Sequence, residues 1–534
     1  MRNHDSQYYP YPSRRTPVYA NRGMVATSQP LAAQAGLAIL RKGGNAIDAA
    51  IATAAALTVV EPGSNGIGGD AFALVWYKGK LHGLNSSGPA PRNLSIEALK
   101  RAGVNVIPKY GWIPVTVPGT PAAWAELSRR FGKLPLTEVL APAIEYADRG
   151  YPISAGNYWG RAYEIFKTGL VGEPFHEWFH TFTHNGNVPK IGELFRLPDH
   201  AKTLTSIAET NAEAFYRGEL AERIDRLSRQ YGGFLRKEDL EAFRPEWVEP
   251  ISVNYRGYDI WEIPPNGQGL VTLIALNILK GFDFAERDTV DTYHKQLEAM
   301  KLAFADGQKY IADPARSHVP IQALLSDSYA EQRRRLIGRS ALEPAPGEPP
   351  QGGTVYLCTA DADGHMVSFI QSNYMGFGSG LVVPGTGIAL HNRGHNFSLD
   401  PSHANRLEPG KKPYHTIIPG FITHKDRPVG PFGVMGGFMQ PQGHVQVVMN
   451  LLDFGLNPQA ALDAPRWQWL KGKTVEFEHQ TPAHLVQALA RRGHDAQWAL
   501  NSTTFGRGQI IWRLENGVLV GGTEPRTDGQ VAAW

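Results

Sequence analysis

Residues 344–372 read PAPGEPPQGGTVYLCTADADGHMVSFIQS, and this stretch joins a proline-rich linker to a strand pair. Prolines and glycines dominate its first part, which predicts a connection without regular structure. From Val355 the residues follow a strand pattern, and Asp363-Gly364 predicts a tight turn between two antiparallel strands. The linker therefore leads directly into a β-hairpin, and Thr354 is the residue at the join.

The sequence has a different character on the two sides of this linker. Residues 118–342 contain mostly helical patterns that begin at Pro or Thr and end at Gly. The segments after the linker are typical of strands separated by Gly and Asp-Gly turns. A strand pattern at 72–79 precedes the helical region, so we expect both regions to share one body. Layers of helix, sheet, sheet and helix satisfy this order, which predicts an α+β fold built as an αββα sandwich.

Two helices are predicted ahead of that early strand. Ser28 is the expected N-cap of the first helix, and Asn45 is the expected N-cap of the second. The second helix is apolar on almost every face, which is typical of a helix buried against a sheet. The glycines at 66–69 come after a helix and before a strand. A dinucleotide loop has the opposite order, so a tight turn with close backbone approach is the better interpretation.

Composition excludes several classes of function. The chain has 534 residues and a formal net charge of +3, without the basic block that nucleic acid or acidic lipid requires. The longest apolar run, 49–60, is shorter than the roughly 20 residues that span a bilayer. Residues 1–22 lack the apolar core of a signal peptide and are expected to form a surface arm. The single cysteine, Cys358, is expected to be a buried thiol, and a cytoplasmic location follows as the default.

Thr354 has a chemical interpretation besides the ordinary one. Most threonines at a strand start are simply β-branched residues in a suitable place. If the Gly353–Thr354 bond were cut, however, the new α-amine of Thr354 could act as general base for its own hydroxyl. An α-amine has a pKa of about 8, which suits a base at neutral pH better than lysine does. The flanking glycines would let the hydroxyl reach the preceding carbonyl.

Two further patterns have possible chemical roles. Gly436 and Gly437 follow a predicted strand and could present paired N–H groups to an oxyanion, although a plain glycine turn is equally consistent. His391 and His395 are four residues apart, but Asn392 and Gly394 disfavour the helix that a metal pair needs. We therefore expect these histidines to make hydrogen bonds, and we expect no metal and no organic cofactor.

Several long motifs together resemble the γ-glutamyltransferase family, whose members are N-terminal-nucleophile hydrolases that cut themselves into two subunits. These motifs are GGNAIDAAIATAAALTVVEPGSNGIGGDAF, LEAMKLAFAD, the hairpin from Thr354, FGSGLVVPGTGIALHN and GGFMQPQGHVQV. They occur in the family's order and cover nearly the whole chain after about residue 22. The resemblance implies an enzyme with a large subunit ending at Gly353 and a small subunit spanning 354–534, both from one proenzyme, and it leaves further dimerisation open.

The same resemblance implies the catalytic residues. The family's nucleophile falls on Thr354, and the hydroxyl residue that orients it falls on Ser372. The glycine pair of the oxyanion hole falls on Gly436 and Gly437. The cleavage site is then the bond between Gly353 and Thr354.

The substrate-binding positions depart from the family pattern. An arginine that grips the α-carboxylate of a γ-glutamyl group is replaced by Asn85, and an acid that binds the α-amine is replaced by Asn396. A pocket asparagine falls on Tyr374, and a serine pair falls on His415-Thr416. A neutral amide cannot reproduce the two-pronged contact that arginine makes with a carboxylate. Arg393, near Asn396, is a candidate for a carboxylate clamp of its own.

The leading hypothesis from the sequence is a self-processing amidohydrolase or transferase that acts on γ-glutamyl amides such as glutathione. The alternative is the same mechanism on another acyl group, such as a glutaryl-cephalosporin or oxamate. The departures at the binding positions favour the alternative, and the family's usual activity favours the leading hypothesis. A third possibility is an unprocessed protein that only binds a ligand or partner.

Overall fold

The computed structural model describes residues 15–155, 159–344 and 353–534. Most of the predicted N-terminal arm (1–14) and the linker segment 345–352 lie outside the described residues. The helices are α1 (Pro30–Arg41), α2 (Ala46–Val60), α3 (Ile96–Arg101), α4 (Thr120–Phe131), α5 (Leu136–Val139), α6 (Ala141–Arg149), α7 (Trp159–Gly169), α8 (His176–Phe182), α9 (Pro198–Thr210), α10 (Glu213–Tyr216), α11 (Glu219–Gln230), α12 (Lys237–Ala242), α13 (Gly269–Leu279), α14 (Val290–Tyr310), α15 (Ile321–Leu324), α16 (Asp327–Arg334), α17 (Met439–Leu452), α18 (Pro458–Asp463) and α19 (Ala483–Arg491). Short 3₁₀ helices cover Glu173–Phe175 and Arg393–Asn396.

Twenty-one strands lie between these helices along the described residues, in no regular alternation. They are β1 (Val18–Ala20), β2 (Gly23–Thr27), β3 (Asp70–Tyr77), β4 (Lys80–Ser86), β5 (Tyr151–Pro152), β6 (Leu194–Phe195), β7 (Glu246–Val248), β8 (Ile251–Tyr255), β9 (Tyr258–Glu262), β10 (Gly353–Asp361), β11 (Met366–Tyr374), β12 (Val382–Val383), β13 (Ile388–Ala389), β14 (Gly420–His424), β15 (Arg427–Met435), β16 (Trp467–Lys471), β17 (Thr474–Phe477), β18 (Asp495–Trp498), β19 (Arg507–Arg513), β20 (Leu519–Thr523) and β21 (Gln530–Ala533).

Two seven-stranded antiparallel sheets form the centre of the molecule. One has the strand order β1-β20-β19-β15-β14-β9-β8, and the other has the order β21-β2-β10-β11-β3-β4-β7. The sheets face each other, since β10 packs on β15 and β19, and buried apolar side chains fill the space between them. Helices α1 and α2 cover one outer face, while α13 and α17 cover the other. The predicted four-layer αββα arrangement is therefore confirmed.

The first two helices largely follow the sequence prediction, with one correction at a cap. Asn45 caps α2, and the Asp48 side chain completes a capping box. The cap of α1 is Gln29 rather than Ser28, because the Gln29 side chain accepts hydrogen bonds from two backbone amides of the first turn. The Ser28 hydroxyl instead donates to the buried carboxylate of Glu61, 2.5 Å away. All fifteen residues of α2 are buried, as its apolar sequence predicted.

The hairpin of β10 and β11 is at the centre of its sheet. Its strands pair antiparallel around a turn in which Gly364 has φ = 85°, a conformation that suits glycine. Strand β2 pairs with one side of the hairpin, and β3 pairs with the other. Cys358 is fully buried here, and burial raises the pKa of its thiol well above its usual value. The predicted hairpin and the predicted buried thiol are both present.

Five strands interrupt the region that was predicted to be mostly helical, and two of them, β5 and β6, have only two residues each. Strands β7, β8 and β9 occupy residues 246–262 and add to the edges of both sheets. Strand β9 pairs with β14, so its partner lies far away in the sequence. The region 118–342 is thus mostly helical, as predicted, and the strands at 246–262 are the part that the sequence did not indicate.

The two ends of the described chain meet at one edge of the molecule. The amides of Arg22 and Gly23 donate to the carbonyl of Trp534, at 3.0 and 3.1 Å, and the amide of Trp534 donates back to Gly23 at 2.9 Å. Val18–Ala20 forms an edge strand on Leu519–Gly521, so this part of the predicted arm is a sheet strand. Within the described residues, no helix has the length and apolar character needed to cross a bilayer.

Candidate active site

Thr354 lies at an irregular point of the hairpin. The strand register places Gly353 opposite Tyr374 and Val355 opposite Gln371, so the pairing shifts at Thr354 itself. Bulges of this kind redirect a side chain and are frequent beside active sites. The Thr354 side chain is buried, and its Oγ1 lies 3.0 Å from Oγ of Ser372. The two residues that the family resemblance assigned to nucleophile and orienting hydroxyl are therefore in hydrogen-bond contact.

Tyr374 connects this pair to the predicted binding residues. Its backbone N–H donates to Ser372 Oγ at 2.8 Å, which leaves the Ser372 hydroxyl proton able to point at Thr354. Tyr374 has φ = 72°, a left-handed conformation that costs a bulky residue of order 1–3 kcal/mol. Its hydroxyl donates to Oδ1 of Asn396, whose Nδ2 donates to the carbonyl of Tyr414 at 3.0 Å. The strained backbone and the satisfied side chain fix the position of Tyr374 beside Ser372 and Thr354.

Gly436 and Gly437 form the turn between β15 and α17. Both have positive φ, 132° and 63°, and a Cβ on Gly436 would lie 3.1 Å from the Cα of Gly506. Their carbonyls accept from the amides of Met439 and Gln440, which fixes the orientation of both peptide planes. Successive amides that precede a helix of this length lie in its positive end, where an anion is favoured.

A glutamine joins this turn to the predicted binding residues. Gln268 Nε2 donates to the carbonyl of Gly437 at 2.9 Å and to the carbonyl of Thr416 at 2.6 Å. Gln268 Oε1 accepts from the hydroxyl of Tyr414 at 3.0 Å. The glycine turn and the segment that contains His415 and Thr416 are thus fixed relative to each other.

Arg393 is fully buried in the middle of this group. Its NH1 donates to Oγ1 of Thr416 at 2.6 Å, and its guanidinium lies 4.3 Å from the ring centroid of Tyr374. Nε and NH2 have no hydrogen-bond partner among the described residues. Burial lowers the pKa of Arg393 to about 10, with Asp70 acting in the opposite direction, so the side chain stays charged at neutral pH. A buried cation with unused donors is suited to bind a ligand anion.

Asp70 is a buried acidic residue of this group that the sequence prediction missed. It begins β3, directly opposite Ser372 in the ladder, and its side chain is fully buried. His415 Nε2 donates to Asp70 Oδ2 at 2.9 Å, while Nδ1 of His391 is 3.3 Å from the same oxygen. Burial raises the pKa of Asp70 to about 7, against the lowering effect of Arg393. The available signal was an acidic residue at the head of an otherwise apolar strand, because a buried carboxyl group requires partners.

Asn85 lies farther along the same sheet than the other binding candidates. Its Nδ2 donates to Oδ1 of Asn266 at 2.9 Å, and its Oδ1 accepts from the Ser87 hydroxyl at 2.7 Å. Asn266 in turn accepts the backbone N–H of His415 on its carbonyl. The structure therefore joins Asn85 to the group through Asn266, with both ends of its amide already bonded.

The two histidines of the sequence pair each contact a backbone carbonyl, as the hydrogen-bonding interpretation expected. His391 precedes the 3₁₀ helix Arg393–Asn396 and its Nε2 lies 3.0 Å from the carbonyl of Thr116, while His395 lies within that helix and its Nδ1 lies 2.8 Å from the carbonyl of Ile107. A different buried group has ligand atoms close enough for a cation; it is made of His294 and Glu298 on α14 and of His494, which follows α19. The ammonium of Lys301, 2.8 Å from Glu298, already supplies positive charge there.

Two facing sheets covered by helices, with a hydroxyl pair at the start of a central hairpin, define an N-terminal-nucleophile hydrolase fold. A family model described as gamma-glutamyltranspeptidase matches residues 32–534. The chain therefore belongs to the γ-glutamyltranspeptidase family, and it is an amidohydrolase proenzyme of that family.

Relatives of similar length support this assignment. A glutathione hydrolase-like YwrD proenzyme of Bacillus subtilis (strain 168) is 38% identical over 525 residues, covering 96% of this chain and 98% of the relative. An oxamate amidohydrolase proenzyme of Klebsiella pneumoniae is 36% identical over 531 residues, covering 96% and 99%. The crystal structure of a cephalosporin acylase from Bacillus halodurans is 66% identical, with a TM-score of 0.97 over 99% of both chains.

Proposed function

We propose that the chain cuts itself between Gly353 and Thr354 and then hydrolyses amides by way of Thr354. In the first step Thr354 Oγ1 attacks the carbonyl carbon of Gly353, and the acyl group moves from nitrogen to oxygen. Water then hydrolyses the resulting ester, which gives a carboxylate on Gly353 and a free α-amine on Thr354. The register shift at Thr354 and its contact with Ser372 support this step.

The processed enzyme then uses the same hydroxyl on its substrate. The α-amine of Thr354 takes the hydroxyl proton as the oxygen attacks the amide carbonyl carbon. The N–H groups of Gly436 and Gly437 stabilise the oxyanion, and the protonated amine gives its proton to the leaving nitrogen. Water, activated by the same amine, hydrolyses the acyl ester and releases the acid. An amine acceptor in place of water would give transfer.

The acyl group is proposed to be a short one with a terminal carboxylate. The observation that carries this proposal is Arg393, which is buried, charged and left with two unused donor positions. Tyr374 contacts both residues, since the guanidinium of Arg393 lies on its ring and its backbone N–H donates to Ser372 Oγ. Because Ser372 contacts Thr354, an acyl group held by Arg393 would be within reach of Thr354. A substrate carboxylate would satisfy both donors at once. A glutaryl group and the oxalyl group of oxamate both have such a carboxylate, and a cephalosporin acylase and an oxamate amidohydrolase are among the similar proteins.

A γ-glutamyl group is the second candidate. It has the same carboxylate, and a glutathione hydrolase-like proenzyme is among the relatives. It also has an α-ammonium group, which needs a carboxylate or several acceptors. Asp70 is the only acidic residue that the described structure places beside Arg393, and its oxygens already accept from His415 and from the amide of Gly88. We therefore rank an acyl group without the α-amine first.

Self-processing is tested on a denaturing gel. The wild-type protein is expected to give two bands, with Thr354 as the first residue of the smaller one, and Thr354→Ala is expected to give one full-length band. Thr354→Ser is the matched control, since it keeps the hydroxyl and should still be cut. A single uncut band for the active wild-type protein would disprove the mechanism and leave a binding protein as the alternative.

Substrate choice is tested by measuring how fast the processed enzyme hydrolyses three anilide substrates. Glutaryl-p-nitroanilide is expected to have the highest kcat/KM, γ-glutamyl-p-nitroanilide a lower one, and uncharged butyryl-p-nitroanilide the lowest. Arg393→Met should remove the difference between glutaryl and butyryl, because it keeps apolar bulk but loses the charge. A preference for the γ-glutamyl anilide would establish the second candidate instead.

A further inference from the structure

Three buried side chains converge on one oxygen of Asp70. His415 Nε2 is 2.9 Å from Oδ2, His391 Nδ1 is 3.3 Å from it, and Arg393 Nε is 3.9 Å from it. All four side chains are fully buried. The number of protons that the group holds sets its net charge. Because the group is buried, bulk water does not screen that charge, and it acts strongly on a bound ligand.

The hydrogen-bond partners of the two histidines fix their protons. His391 Nε2 lies 3.0 Å from the carbonyl of Thr116, which only accepts, so Nε2 bears the hydrogen. In a neutral ring Nδ1 of His391 then presents a lone pair to Asp70. In His415 the Nδ1 atom accepts the backbone N–H of Ile417 at 3.4 Å, so its Nε2 bears the hydrogen that Asp70 accepts.

The contact between Asp70 and His391 is consequently between two acceptors unless a proton lies there. We infer that Asp70 bears a proton on the side of the unpartnered Nδ1 of His391, and that this proton leaves the charge of Arg393 uncompensated for the carboxylate of the substrate. The inference rests on the proposed function of Arg393 as a carboxylate clamp. With the proton, Asp70 and His391 together are neutral, and the buried group has a net charge of one. Without it, the carboxylate of Asp70 neutralises Arg393 and repels an incoming acyl carboxylate.

The surroundings of Asp70 agree with this assignment. Burial raises the pKa of Asp70 to about 7 and lowers the pKa of His391 to about 3, so the proton resides on the carboxyl group. The other charged or titratable groups that face Asp70 are Arg393, His415, Lys412 and Tyr216. Burial keeps His415 neutral and holds the hydroxyl of Tyr216 protonated, because it lowers the first pKa and raises the second. Asp70 is therefore a positioning residue whose charge sets how tightly the site holds an acyl carboxylate.

The test compares the pH dependence of KM for two substrates. From about pH 6 to about pH 9, the KM of glutaryl-p-nitroanilide should rise by up to about tenfold per pH unit once Asp70 loses its proton. The KM of butyryl-p-nitroanilide should stay level. The α-amine of Thr354 also titrates in this range, but it affects both substrates alike and so cancels in their ratio.

Asp70→Asn is the matched variant. It keeps the size of the side chain and has no charge at any pH, and its Nδ2 in the place of Oδ2 can donate to His391 Nδ1. The same atom cannot accept from His415, so the variant reproduces the neutral charge of the protonated carboxyl group and not all of its hydrogen bonds. The expected result is a low KM for the glutaryl anilide at every pH. A wild-type glutaryl preference that does not change with pH would overturn the inference, whether or not the variant folds. Absence of any glutaryl preference would instead overturn the proposed substrate class.

Discussion

Gly436 is a position where the backbone leaves no room for a side chain. Its φ of 132° is unfavourable for any other residue, and the Cα of Gly506 lies where a Cβ would make close contact. The proposed oxyanion hole depends on the orientation of this peptide unit. If a side chain moved this peptide unit by a few tenths of an ångström, we expect stabilisation of the transition state to suffer more than the stability of the fold.

Gly436→Ala is expected to lower kcat by about 10²-fold, the effect of losing one oxyanion donor. The KM should change little, because the carboxylate clamp is on a different segment. Gly455→Ala is the control, since Gly455 also has positive φ (62°) but has open space around it. Steady-state kinetics of both variants decides the matter, and equal losses of kcat would indicate a general backbone effect.

Some residues of the candidate site could be predicted from the sequence, and others could not. Thr354, Ser372 and the glycine pair were identifiable because each belongs to a long local motif. Asp70 was not identified, and neither was the contact of His391 with it, because this contact joins residues more than 300 positions apart in the chain. The sequence also could not show that Arg393 is buried with unused donors. Only the packing of three segments around it determines that.

At the scale of elements, the start of α2 is a point of concentrated hydrogen bonding. Asn45 accepts from the amides of Ile47 and Asp48 and donates to the carbonyl of Phe131 at 2.6 Å. It is also buried, so water cannot replace these bonds. Asn45 therefore caps the start of α2 and also joins it to the end of α4.

Asn45→Ala is expected to destabilise the protein by about 1–3 kcal/mol, from the lost cap and the carbonyl left without its partner. The measurement is the denaturant midpoint in the Thr354→Ala precursor, which keeps one chain throughout. Ser326→Ala, at the partly exposed cap of α16, should cost no more than about 1 kcal/mol. A smaller loss at Asn45 than at Ser326 would contradict the importance of this junction.

Elements with local signals were predictable, and elements defined by distant partners were not. The hairpin of β10 and β11 has alternating residues and an Asp-Gly turn, so its sequence alone indicated it. Strands β8 and β9 are five residues each and lie between α12 and α13. Their place in the sheet comes from β14, more than 150 residues later. The Ser28 cap failed for a similar reason, because Glu61 competes for its hydroxyl.

At the scale of the whole molecule, the segments before and after Thr354 are interleaved in both sheets. In one sheet β10 and β11 lie between β2 and β3, and in the other β14 pairs with β9. Separating the two proposed subunits would break several strand ladders at once. The two chains are therefore expected to stay together after the cut and to depend on each other for folding.

This interleaving predicts a difference in refolding. The processed enzyme, diluted from denaturant, should refold at a rate that increases with protein concentration, because two chains must meet. The uncut Thr354→Ala precursor should refold at a rate independent of concentration. Tryptophan fluorescence at several concentrations measures both. Equal behaviour of the two proteins would mean that one segment folds without the other.

The hydrogen bonds that join Arg22 and Gly23 to Trp534 have a consequence for protein engineering. Because residues 22 and 534 are already adjacent, a short peptide could connect them without strain, and the chain could be reopened elsewhere. A circular permutant opened in front of Thr354 would expose the proposed nucleophile as the first residue of a single polypeptide. Its maturation would then require only removal of the initiator methionine, and catalysis could be studied separately from self-cleavage.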